Sequence, residues 1–156
     1  MTSEYFVVRG TVEHGDERGR ELGFPTANIA LRDQAGSIGD GVWAGWVLRE
    51  DGTSLPAAIS VGRRPTYYGA DGYRLLEAHI LDFSGDLYDE TLVVWLGSHL
   101  REQQKYSSAE DLITALKNDI AAATQWTTAH PAASLPAASL PAVGESPLGE
   151  VRRIEG

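Results

Sequence analysis

Every apolar run in roughly the first hundred residues is short, rich in β-branched and aromatic side chains, and stopped by glycine or an Asp-Gly pair. That pattern restricts this part of the chain to strands joined by turns. The runs cover residues 5–12, 26–31, 41–48, 55–61, 74–83 and 91–96. Glu50-Asp51-Gly52-Thr53 is a hairpin turn between two of them. In the 41–48 run, Val42, Ala44, Trp46 and Leu48 alternate with Trp43, Gly45 and Val47, so both faces are apolar. Such a strand is covered on both sides, or forms a barrel wall with something packed outside it. Five or six strands with short connections imply an antiparallel sheet that closes or nearly closes. A helix follows. Ser107 with Glu110 reads as a capping box, and Leu112, Ile113, Leu116 and Ile120 make one apolar stripe. The expected helix runs from about residue 108 to about 124, with its stripe against the sheet.

Bulk properties narrow the function classes. The chain has 156 residues, enough for one domain with a real core. It carries 13 Lys plus Arg against 22 Asp plus Glu, a formal net charge of −9. No nucleic-acid partner and no anionic membrane surface is expected of so acidic a chain. No apolar run reaches the length of a membrane span, and the N-terminus lacks the layout of a signal peptide. There is no cysteine, so disulfides and thiolate metal sites are excluded. These features together read as a cytoplasmic protein, expected to be monomeric. His14, His79, His99 and His130 form no zinc-type spacing.

The chemistry concentrates in residues 15–29. Gly15, Gly19 and Gly23 recur at every fourth position, which disfavours a helix and lets backbone N–H groups approach an anion. Arg18 and Arg20 can fork onto phosphate oxygens, although either alone is equally well a solvated loop charge. Pro25 fixes the exit of the loop. If residues 26–28 are extended, Thr26 and Asn28 point to the same face, and their oxygens beside a phosphate nest suit a hard cation such as Mg²⁺. The chain has no Gly-x-x-x-x-Gly-Lys-Ser/Thr loop, and its two lysines are Lys105 and Lys117. Glu77 sits mid-strand between Leu76 and Ala78, where a carboxylate needs a reason to be buried. It shares a face with His79. A general base is one reason, and a structural pair with His or Arg is the other.

Four blocks together carry a resemblance. They are Arg18-Gly19-Arg20-Glu21-Leu22-Gly23-Phe24-Pro25-Thr26-Ala27-Asn28, then Ala58-Ile59-Ser60-Val61-Gly62-Arg63-Arg64-Pro65-Thr66-Tyr67-Tyr68. Leu76-Glu77-Ala78-His79-Ile80-Leu81-Asp82-Phe83 with Gly85-Asp86-Leu87-Tyr88 comes next, then Leu100-Arg101-Glu102 with Lys105-Tyr106 and the helix. In this order, over residues 6 to about 122, they resemble the riboflavin kinase family. The resemblance implies a closed six-stranded antiparallel Greek-key barrel followed by one C-terminal helix. It implies transfer of the γ-phosphate of ATP to the ribityl 5′-hydroxyl of riboflavin, giving FMN and ADP, with Mg²⁺ or another divalent cation. Thr26 and Asn28 would be metal ligands, Asn28 also lying at the flavin end. Gly15, Arg18, Gly19, Arg20, Gly23 and Thr26 would hold the nucleotide. Glu77 would be the catalytic base, Arg101 and Glu102 would contact the flavin, and His79 would be structural support.

One position departs from the family pattern: Asp89 stands where glycine usually follows Asp-Leu-Tyr. A turn requiring positive φ there would strain it. The domain is expected to cover residues 1–126. Residues 127–156, with Ala-Ala-Ser-Leu-Pro twice in tandem, read as a disordered or loosely docked tail. No His-x-Gly-His motif is present, so FMN formation without FAD synthesis is expected. A non-catalytic flavin- or nucleotide-binding regulatory module on the same barrel is the alternative, which an intact Thr26, Asn28 and Glu77 argue against.

Overall fold

The computed structural model describes residues 4–13, 26–31, 38–63, 74–81, 83, 85, 87–135 and 150–155. Six antiparallel strands come first: β1 (Glu4–Thr11), β2 (Thr26–Leu31), β3 (Gly41–Leu48), β4 (Ser54–Arg63), β5 (Arg74–Ile80) and β6 (Thr91–Arg101). One helix follows, α1 (Ala109–Ala129), then a short 3₁₀ turn (Ala132–Ser134) and β7 (Glu150–Glu155). The strands form one sheet in the order β2-β5-β4-β3-β6-β1-β7. The sheet curls until Glu13, just beyond β1, bridges Asn28 on β2. The edges of the sheet are β2 and β7, that single bridge ties β2 to the end of β1, and the molecule is a curled half-barrel with one long helix on its outside. Among the described residues no helix is long and apolar enough to cross a membrane.

Side-chain alternation separates the two faces. Ile29 and Leu31 of β2, Ile59 and Val61 of β4, Leu76 and Ala78 of β5, and Val94 and Leu96 of β6 fill the concave side and are essentially sealed from water. Each large side chain there contributes about 1.5–3 kcal/mol relative to exposure. Residues one step along point the other way. Ala44, Ala58 and Leu81 lie on the convex side, where they pack with Ala123 of α1, and Leu100, Ile120 and Trp126 close that second cluster. This explains why β3 is apolar on both faces: one looks into the half-barrel, the other under the helix.

The helix starts at Ala109, and its cap is Ser108 rather than Ser107. The Ser108 Oγ accepts from the Asp111 N–H at 3.1 Å, while the Ser107 hydroxyl reaches the Asp111 carboxylate at 3.3 Å. Two adjacent serines satisfy the same motif from sequence, and backbone geometry selects the second. The helix also runs five residues past the expected end at 124. Its last turns hold few large apolar groups, but Thr124, Thr127 and Thr128 return their hydroxyls to carbonyls four residues back, each at 2.8 Å. Trp126 lies on β6 where Gly97 leaves room. A Cβ on Gly97 would stand 2.1 Å from the Trp126 ring. Gly97→Ala is expected to lower stability by roughly 1–2 kcal/mol, the overpacking effect, read as a shift in the urea midpoint at unchanged slope.

The Asp89 turn is as the departure from the family pattern suggested. Asp89 has φ of 68°, and its N–H donates to the Val12 carbonyl at 3.0 Å. Glycine adopts that backbone without the Cβ clash. Asp89→Gly is expected to raise stability by up to about 1 kcal/mol in a denaturant titration.

Two described stretches within residues 127–156 are regular. The helix passes through 127–129, and β7 pairs antiparallel with β1, from Glu4 opposite Glu155 to Arg9 opposite Glu150. The edge of β1 along these six residues is thus hydrogen-bonded to the far end of the chain. Main-chain pairing needs no apolar composition, so the charged, proline-free segment Glu150–Glu155 can supply a strand.

Candidate active site

Strand register assembles the site. On β2 and β5, Thr26 stands opposite His79 and Asn28 opposite Glu77. Glu77 in turn stands opposite Ser60 of β4, Ser60 opposite Val42 of β3, and Val42 opposite Arg101 of β6. Asn28, Glu77, Ser60, Val42 and Arg101 therefore form a single row across five strands. All lie on the convex, helix-bearing side. With strands about 4.8 Å apart, Glu77 and Arg101 are on the order of 14 Å from each other, the length of a small organic substrate.

Two irregularities shape the Arg101 end. In the β3–β6 register Gly97 and Leu100 have no partner, so each is a bulge. The first turns His99 toward Trp43, whose ring it meets edge-on at 4.9 Å, and the second brings Arg101 opposite Val42. Bulges re-aim side chains in this way near functional sites.

At the other end, the Thr26 hydroxyl is 3.4 Å from His79 Nδ1. Asn28 and His79 are buried and Glu77 is half-buried. The strand that carries Thr26 and Asn28 is fastened on its outer edge by Glu13. The Glu13 N–H donates to the Asn28 carbonyl at 2.7 Å, and its carboxylate accepts from the Ala30 N–H at 3.1 Å. Sequence reading passed over Glu13, because an acidic residue at a strand end carries no signal of a partner 17 positions away.

Arg101 is paired with the helix. Its Nε and Nη2 donate to the two carboxylate oxygens of Asp119 at 2.8 and 2.7 Å. That hydrogen-bonded pair raises the Arg101 pKa further above its ordinary value, against the opposing effect of burial, so the side chain stays charged. Its guanidinium also lies 5.9 Å from the Tyr106 ring centre. Arg101, expected as a flavin contact, has here a structural role that its sequence position did not reveal. Glu102 is exposed and sits 3.9 Å from His99 Nε2. Beside it, Tyr106, Ser107, Ser108, Ala109 and Leu112 line a depression of about 310 Å³. The Tyr106 hydroxyl is buried there without a hydrogen-bond partner among the described residues.

Gly15, Arg18, Gly19, Arg20 and Gly23, expected to hold the nucleotide, lie outside the described residues, as do Arg64, Tyr67 and Tyr68. Among the described residues no three His, Cys, Asp or Glu side chains gather as a metal site. Thr26 and Asn28 offer hard oxygen donors, the type that Mg²⁺ accepts when phosphates and water complete its shell.

Comparison with known proteins shows the family. The profile of the riboflavin kinase family matches residues 2–127. The bifunctional riboflavin kinase/FMN adenylyltransferase of Pseudomonas fluorescens is 45% identical over 118 residues, covering 76% of this chain and 37% of that protein. The enzyme of the same description from Escherichia coli K12 is 38% identical over 121 residues, covering 78% of this chain and 38% of that protein. This chain therefore spans less than two fifths of the length of either relative. The solved riboflavin kinase of Trypanosoma brucei has the same fold, with a TM-score of 0.67 at 20% identity over 99% of this chain and 98% of that one. Matched by the profile over most of its length, with that fold around it, the chain belongs to the riboflavin kinase family.

Proposed function

We propose that the chain transfers the γ-phosphate of ATP to the ribityl 5′-hydroxyl of riboflavin, giving FMN and ADP. The observation that supports this reading most is the placement of Asn28 directly opposite Glu77, with Thr26 against His79, on the face that carries the helix. Thr26 and Asn28 would hold Mg²⁺, which when bound to the triphosphate neutralises charge on the transferring phosphoryl group. Gly15, Arg18, Gly19, Arg20 and Gly23 would hold the nucleotide. Riboflavin would extend along the row from Glu77 toward Arg101, Glu102 and the depression at Tyr106. The ribityl oxygen attacks the γ-phosphorus, its O–P bond forms, and the bond to the β–γ bridging oxygen breaks. ADP leaves and the hydroxyl proton passes to the Glu77 carboxylate. In this reading the domain works as a cytoplasmic monomer on a six-stranded Greek-key barrel closed through the Glu13–Asn28 contact. Residues 1–126 carry the function.

The test is incubation of the protein with riboflavin, ATP and Mg²⁺, followed by chromatography for FMN, with a chelator control. FMN that appears only with ATP and metal supports the reading. Riboflavin that binds and is returned unchanged would leave a non-catalytic flavin-binding module.

A further inference from the structure

Glu77 has two neighbours in its row, and the one on the β4 side is Ser60. Ser60 is itself held by a residue from beyond the last strand of the half-barrel. Gln103 Nε2 donates to Ser60 Oγ at 2.7 Å, to the Val61 carbonyl at 2.9 Å, and approaches the Gly41 carbonyl at 3.3 Å. Two of these three acceptors are backbone carbonyls, which cannot donate. The Gln103 amide is therefore oriented with its NH₂ toward β4. Its side chain crosses Gly62, where a Cβ would stand 3.3 Å from Nε2 and 3.6 Å from Cδ. Glycine at 62 is what lets a side chain lie flat on the strand here.

A serine hydroxyl has one proton to give and can accept two. With Gln103 donating to it, the Ser60 proton remains to be placed. On one side of Ser60 in the row is Val42, whose side chain accepts nothing, and on the other is Glu77. Directly opposite residues of antiparallel strands have Cβ atoms about 5 Å apart, within reach of a Ser–Glu hydrogen bond. A donor held beside a carboxylate narrows its rotamers. That suits a base that must be aimed before the hydroxyl arrives.

We infer that Ser60 is a positioning residue for Glu77, oriented for that task by Gln103. The inference rests on the reading of Glu77 as the base. It joins the segment between β6 and α1 to the proton-accepting end of the site, so docking of that segment and readiness of the base are coupled.

The experiment compares Ser60→Ala, Ser60→Thr, Gln103→Ala and the Ser60→Ala/Gln103→Ala pair, each also in a Glu77→Gln background, by steady-state FMN formation and thermal midpoint. Ser60→Ala and Gln103→Ala are each expected to lower kcat about tenfold, the size of one hydrogen bond to a charged group, with the riboflavin KM within about twofold. The pair falls no further than about tenfold, since both changes remove one chain of bonds. Ser60→Thr, which keeps the hydroxyl, restores most of the rate. In the Glu77→Gln background Ser60→Ala has no added effect. Full kcat in Ser60→Ala, a raised KM at unchanged kcat, or a further tenfold loss on top of Glu77→Gln overturns the inference while leaving Glu77 in place. Normal turnover in Glu77→Gln alone removes the base itself, and the role of Ser60 falls with it.

Discussion

Glu77→Gln is expected to lower kcat for FMN formation by a hundredfold or more while riboflavin binds as before. The substitution is nearly isosteric, so the neighbours Asn28 and Ser60 keep a side chain of the same shape between them. What disappears is the proton acceptor. The ribityl hydroxyl then has to lose its proton to water as it attacks, in a site where Glu77 is half-buried and water has limited entry. Riboflavin fluorescence quenching gives the affinity, and chromatographic single-time-point assays give the rate. A variant that turns over within a fewfold of the parent excludes Glu77 as base. A variant that loses affinity and rate together makes it a binding group instead.

The second large effect is on stability. Arg101→Leu is expected to destabilise the fold by on the order of 3 kcal/mol, the low end for breaking a buried ion pair. The size follows from the asymmetry of the pair. Arg101 is 23% exposed and reaches solvent, whereas the Asp119 side chain is only 6% exposed and is left without its counter-charge. At about 2–4 °C per kcal/mol for a chain of this size, the thermal midpoint falls by roughly 6–12 °C. The double variant Arg101→Leu/Asp119→Leu is expected to recover most of that loss, because two apolar groups leave no orphaned charge. The same double variant separates the two roles of Arg101. Riboflavin affinity that stays low after stability returns marks a direct flavin contact, and affinity that returns with stability marks a brace for the helix. A midpoint within 2 °C of the parent in Arg101→Leu would show that Asp119 finds another partner.

The strands and the helix were legible because their cause is local. Alternation along 41–48 and 74–80 assigns each side chain to a face, and the turn residues between the runs mark where each strand ends. The same alternation placed Thr26 with Asn28 and Glu77 with His79 on shared faces. It could not bring the two pairs together, because the register between β2 and β5 is a contact across some fifty residues, and a slip of one position would invert it. Glu77 was singled out by its charge in an apolar strand. Ser60 and Gln103 were passed over because neutral polar side chains near a strand end are ordinary, and only the fold shows one resting on the other. Arg101 is the mixed case: the motif marked it, but its partner Asp119 lies on a helical turn whose stripe was read from Leu112, Ile113, Leu116 and Ile120. The tail was read from composition alone. The spacing of Pro131, Pro136 and Pro141 argues against a packed core there, and this is silent about whether 150–155 can add to an existing edge.

That added edge has a topological corollary. Glu4 and Glu155 face each other across β1 and β7, so the first and last described residues emerge side by side from one corner of the sheet. A short peptide could fuse them, and the exposed hairpin at Asp51-Gly52 offers a place to reopen the backbone far from the row at Glu77. The fold is thus suited to circular permutation, and a module joined at either terminus would hang from the same corner.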